Sequence, residues 1–108
     1  MSVSRAFETF GREAPGAAAA WMAAVQGLDA ANALDAKTSE LAYIAVLAAV
    51  RLESGLAFHV AHAKALGATR DEIIGSVLVG MPAVGNTVIA ALPTALDAYD
   101  AAPATPEG

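Results

Sequence analysis

The chain has 108 residues, 56% of them hydrophobic, with a formal net charge of −5 and no cysteine. One domain of this length cannot easily hide so much apolar surface, so the surplus is expected in a membrane or a subunit interface. The acidic balance and scattered basic residues argue against nucleic acid and anionic lipid as partners, and the absence of thiols excludes disulfides, thiolate nucleophiles and zinc–thiolate sites.

Alanine and leucine dominate and no stretch alternates with period two, so the expected fold class is all-α, with about six helices. The first helix is expected over residues 4–13. Pro15 suits the first turn of a second helix, which carries Trp21 and Met22 and stops near Gly27. Residues 29–35 read as a turn or half-helix. A third helix should begin around residues 36–38 and run to about Glu53. It is apolar on every face from position 41 to 50, so it needs cover on all sides. Ser54 and Gly55 break it, and a fourth helix carries Phe58, His59, Val60 and His62 to Leu66. Gly67 is a helix C-terminal glycine. Thr69 and Glu72 form a capping box for a fifth helix over 70–81. A sixth should span 83–101, kinked or split at Pro93. The domain is expected to cover 1–101, with 102–108 as a disordered tail containing Pro103 and Pro106.

Residues 73–96 contain no charge and are long enough to cross a bilayer. They also contain Gly75, Gly80, Pro82, Gly85, Asn86 and Pro93, and Asp97 and Asp100 follow instead of a basic cluster. We therefore read two buried helices joined at Pro82 and Gly85, with no membrane partner. Glu8 and Glu13 ahead of an alanine run are wrong for a secretory signal, so a cytoplasmic location is expected.

Chemistry is confined to a few positions. Glu40 falls early in the most apolar helix, either as a helix-start acid complementing the dipole or as an enclosed carboxylate that shuttles protons. His59 lies between apolar neighbours, as a satisfied core residue or as a general acid/base. His62 is three residues on and shares its face. Two such histidines with Glu40 or Glu53 could touch a divalent metal, but catalytic zinc typically takes three protein ligands and spacing supplies no third. No metal and no other cofactor is expected. Arg51 either pairs with Glu53 or a partner subunit, or binds a substrate carboxylate bidentately. No serine sits in a nucleophile elbow, and there is neither a phosphate-binding glycine loop nor a dinucleotide fingerprint.

These residues carry a resemblance. Leu34, Lys37, Glu40 and Leu41, then His59 to Ala63, then Gly67 to Ile73 resemble the carboxymuconolactone decarboxylase and alkylhydroperoxidase D-like (AhpD-like) superfamily. The peroxidase branch has Cys-x-x-Cys-x-x-x-His with a glycine eight residues later. Counting back from Gly67 puts His59 at the family histidine and Leu52 and Gly55 at the two cysteines. Thiol peroxidase chemistry is thereby excluded, while Glu40 keeps the place of the proton-relay glutamate. The decarboxylase branch also lacks the cysteines and has a Gly-x-Pro element. Gly80-Met81-Pro82 is similar to it, although an ungapped count places that glycine at Gly85. The chain looks like a third, cysteine-free branch.

The resemblance implies an AhpD-like helical domain that associates through apolar helices into homotrimers or homohexamers. It further implies a pocket between the third and fourth helices, completed by a neighbouring subunit. The leading expectation is a cofactor-free, lyase-type acid/base enzyme acting on a small carboxylate or lactone. His59 and Glu40 would be catalytic, and Arg51 and His62 would bind substrate. The alternatives are a non-catalytic oligomeric module for a small ligand or partner, and a peroxidase-related protein that has lost its redox cysteines.

Overall fold

The computed structural model describes residues 4–103, so most of the expected tail (104–108) lies outside the described residues. The described residues are all-helical, and side-chain chemistry marks most of the helix starts. Helix α1 (Arg5–Glu13) begins at Ser4, whose hydroxyl accepts the Phe7 N–H at 3.2 Å. Helix α2 (Pro15–Ala31) opens on Pro15, as expected, but passes through Gly27 and ends a turn later. A single helical glycine costs only about 1 kcal/mol, and the alanines beyond it favour helix. The true stop is Asn32, whose side-chain oxygen accepts the Leu34 N–H at 2.9 Å.

Helix α3 (Ala36–Val50) is capped by Asp35, which accepts the Thr38 N–H at 2.8 Å. It ends three residues before the expected limit because Arg51 turns into the left-handed region at φ 63°. A 3₁₀ turn (Glu53–Gly55) leads into α4 (Leu56–Ala65). Gly67, at φ 99°, closes α4 as expected: Gly67 N–H donates to the Lys64 carbonyl and Ala68 N–H to that of Ala63, each at 2.9 Å. The capping box of α5 (Arg70–Leu78) is complete, with Thr69 and Glu72 each accepting from the other's backbone.

The rest departs from expectation. Helix α5 stops at Leu78, short of position 81, and the single sixth helix is replaced by three segments. These are α6 (Met81–Val84), a 3₁₀ stretch (Gly85–Ala91) starting at φ 77°, and α7 (Leu92–Ala101). The expected split at Pro93 is present: the 3₁₀ stretch ends at Ala91 and Pro93 sits in the first turn of α7, where its missing N–H costs no hydrogen bond. By length and composition the run Arg70–Ala101 could cross a membrane. It is divided at Gly80, Gly85 and Ala91 into these shorter pieces.

The core lies among α3, α4, α5, the second 3₁₀ stretch and α7, around Ile44, Leu56, Val60, Ile73, Val77 and Val88. Helix α7 is tied down by polar contacts. Lys64 donates from Nζ to the carbonyls of Tyr99 (2.8 Å) and Ala102 (2.9 Å), the Tyr99 hydroxyl donates to the Ala68 carbonyl, and Arg70 grips both oxygens of Asp100. Helices α1 and α2 bury nothing in this core; they pack on each other and form an arm. Nor is α3 covered on all sides within one chain. Ile44, Leu47 and Ala48 are buried, but Tyr43, Val46 and Val50 are about half exposed, because α4 and α5 meet only one side of the helix.

Candidate functional site

Glu40 and Tyr43 lie one turn apart on α3, and His59 and His62 one turn apart on α4, so each pair shares a face. The α3–α4 packing brings the two faces together. His59 Nδ1 lies 2.9 Å from Glu40 Oε2 and 3.2 Å from Oε1. His62 Nδ1 lies 3.4 Å from Oε1 of the same carboxylate. The Glu40 side chain is 15% exposed, that of His59 24% and that of His62 48%. One sheltered acid thus serves a sheltered imidazole and a more open one.

This geometry fixes the imidazole chemistry. An ionised carboxylate only accepts hydrogen bonds, so Nδ1 of His59 must carry the proton that points at Glu40. In the neutral ring Nε2 then holds the free lone pair and can take a proton; in the imidazolium it gives one back. Glu40 thereby orients the ring.

The walls of the site are apolar and aromatic. The Tyr43 ring lies 4.4 Å from that of His59 at a 37° tilt, and Phe58 meets His59 edge-on at 5.3 Å. A Cβ built on Gly55 would lie 3.7 Å from Leu47 Cδ1 and 4.0 Å from His59 Cδ2, so position 55 adjoins the imidazole. Leu52, at the other position matching a family cysteine, is exposed. Sequence reasoning missed Tyr43. Its signal was the three-residue spacing from Glu40, hidden inside an apolar run.

Arg51 is not brought to this cluster. It is exposed at the end of α3, eleven residues past Glu40, which is roughly 16 Å of helix rise. Among the described residues it forms no ion pair, with Glu53 or otherwise. No three His, Asp or Glu side chains among the described residues are grouped to hold a metal ion.

The remaining motif residues build the scaffold. Lys37 pairs with Glu72 at 2.9 Å, joining the start of α3 to the start of α5. The Thr69 backbone N–H and then Lys37 hold the Glu72 carboxyl below the usual carboxylate range. A wide groove of about 700 Å³ lies elsewhere, between α1 and α2, lined by Phe7, Phe10, Ala17, Ala20, Trp21 and Ala24. Its lining holds no ionisable group, unlike the α3–α4 face.

Fold and site together define an all-helical protein with a carboxylate–imidazole pair and no thiol beside it. The chain belongs to the carboxymuconolactone decarboxylase family, whose model matches residues 15–101, from the first residue of α2 to the last of α7. No match was found among curated proteins or solved structures.

Proposed function

We propose that this protein is a cofactor-free acid/base enzyme of decarboxylase type, acting on a small carboxylate or lactone. The observation that carries this reading is the Glu40 carboxylate on His59 Nδ1 at 2.9 Å, which leaves Nε2 as the proton-exchanging atom. Family membership supports it, and so does the absence of any thiol that could support redox chemistry.

The reaction asks little of the protein. The bond between the substrate and its carboxylate breaks, carbon dioxide leaves, and the electron pair passes into a conjugated carbonyl of the substrate. The resulting enolate takes a proton at carbon from the imidazolium Nε2 of His59, which is reloaded from solvent. Glu40 holds the ring in place between cycles. The rings of Tyr43 and Phe58 keep water away from one side of the imidazole and offer flat surfaces to an unsaturated substrate. His62, whose Nδ1 lies 3.4 Å from the Glu40 carboxylate, takes the substrate's carboxylate, a task Arg51 is too far along α3 to share within one chain.

The test is turnover of small unsaturated lactones and carboxylates by the wild type and by His59→Ala. A loss of about 10²–10⁴-fold in the variant is expected for general acid/base work. Undiminished turnover in a folded His59→Ala would overturn the assignment.

A further inference from the structure

We infer that Tyr43 is a further catalytic residue of the site: its phenol hydroxyl donates a hydrogen bond to the substrate oxygen on which negative charge develops. This rests on the acid/base reading above, which leaves an enolate oxygen in need of a donor. From Leu41 to Val50, Tyr43 carries the one polar group among the side chains of α3. Phenylalanine or leucine would fill an apolar run as well, so the hydroxyl is what needs an explanation.

The two tyrosines of the chain are used differently. The Tyr99 hydroxyl donates to the Ala68 carbonyl at 2.9 Å and fastens α7 to the end of α4. The Tyr43 hydroxyl has no hydrogen-bond partner among the described residues, and the residue is about half exposed. Exposure alone would leave that hydroxyl to water. The ring, however, is held against the imidazole, with 4.4 Å between the centres and a tilt of 37°. The hydroxyl therefore lies no further from His59 Nε2 than that separation plus the reach of each ring. One small lactone spans such a gap.

Chemistry selects Tyr43 over its neighbours. Glu40, Tyr43 and Phe58 meet the His59 ring. The carboxylate only accepts and Phe58 is apolar, so Tyr43 alone of the three has a hydrogen to donate. Nδ1 of His59 is committed to Glu40, and Nε2 carries the proton destined for carbon. As carbon dioxide leaves, the electron pair moves onto the carbonyl oxygen, and the Tyr43 hydroxyl, keeping its own proton, holds that oxygen. When His59 protonates the carbon, the carbonyl reforms and the hydrogen bond weakens. A donor set in place beforehand binds the enolate more tightly than the neutral carbonyl, which is what lowers the barrier. Its setting comes from α3, one turn beyond Glu40, and from the stack on His59.

The test uses two lactones of one ring size. Tetronate is an enolate at neutral pH, and butenolide is an uncharged counterpart. Each is titrated calorimetrically into full-length wild type and into Tyr43→Phe, which keeps the ring and loses only the oxygen. Tetronate binding is expected to weaken roughly tenfold to a hundredfold in the variant, while butenolide binding stays as it was. Equal weakening of both probes would assign the effect to displaced packing and overturn the proposal. Unchanged tetronate binding in Tyr43→Phe, or no tetronate binding by the wild type, would overturn it as well. Tyrosine isotope-labelled at the phenol carbon gives a second readout in the wild type, which has only two such resonances. Tetronate should move the Tyr43 resonance and leave that of Tyr99; a still Tyr43 resonance overturns the proposal without any variant.

Neither probe has a carboxylate to lose, so the two readings fail separately. An unchanged tetronate affinity in Tyr43→Phe, with turnover still lost in His59→Ala, removes Tyr43 alone. Undiminished turnover in His59→Ala removes the acid/base reading, and with it the catalytic role of Tyr43, whatever the tetronate result.

Discussion

Glu40 and His59 stand nineteen residues apart in the chain and meet at 2.9 Å across α3 and α4. The contact joins two helices as well as two ionisable groups, so its loss has a structural readout and, on the proposed function, a chemical one. Charge-assisted hydrogen bonds contribute about 1.5–3 kcal/mol, below the 3–5 kcal/mol cost of breaking a fully buried pair, and both side chains here keep some solvent access. Glu40→Ala is expected to lower unfolding free energy by about 1.5–3 kcal/mol in urea titration. Glu40→Gln retains a hydrogen-bonding oxygen and should lose less. If turnover falls in Glu40→Gln while stability holds, the carboxylate acts through its charge. A Glu40→Ala variant as stable as wild type would show that the contact does not hold the helices together.

Acid should weaken the fold through three surface carboxylates. The Thr38 backbone N–H holds Asp35 below its ordinary value of 3.8, the Thr69 N–H and then Lys37 hold Glu72 below 4.5, and Arg70 holds Asp100 below 3.8. A carboxyl with a depressed folded-state pKa binds its proton less readily than in the unfolded chain. Its contribution is therefore complete above the unfolded value and is lost as pH falls through the lower folded one. Thermal midpoints should fall as pH drops below about 4, the unfolded carboxylate range. Calorimetry on Asp35→Asn, Glu72→Gln, Asp100→Asn combined should show a shallower acid limb. An unchanged limb would place the acid sensitivity in other carboxylates.

Local chemistry explains which parts of this architecture were readable in the sequence. Ser4, Pro15, Gly67, Thr69 and Glu72 act within a few residues of themselves, and the elements they start or stop appear where expected. The region after Leu78 depends on long-range packing. Gly85 turns at φ 77° and the following 3₁₀ stretch buries Val88 and Ala91, so tertiary contacts override a pattern that locally favours one long helix. Glu40, His59 and His62 were legible as isolated ionisable groups in an apolar setting. Their convergence on one carboxylate depends on how α4 crosses α3, which no local spacing encodes. Arg51 looked equivalent from composition alone; its position three turns along α3 separates it from the pair.

Two glycines flanking α4, at its start and beyond its end, should answer oppositely to the same substitution. Gly67 adopts φ 99°, where a side chain strains the backbone however open the surroundings, and it supplies the N–H that closes α4. Gly67→Ala is expected to cost about 1–2 kcal/mol. Gly55 has φ −89° and ψ −9°, an ordinary conformation for any residue, and an added methyl would rest at normal contact distance from Leu47 and His59. Gly55→Ala should therefore stabilise the fold by about 0.4–1 kcal/mol, chiefly by restricting the unfolded chain. Paired thermal melts of the two variants check both signs. Destabilisation by Gly55→Ala would mean that the space beside the His59 ring is tighter than 4.0 Å implies, and that position 55 must stay empty for the imidazole to keep its place on Glu40.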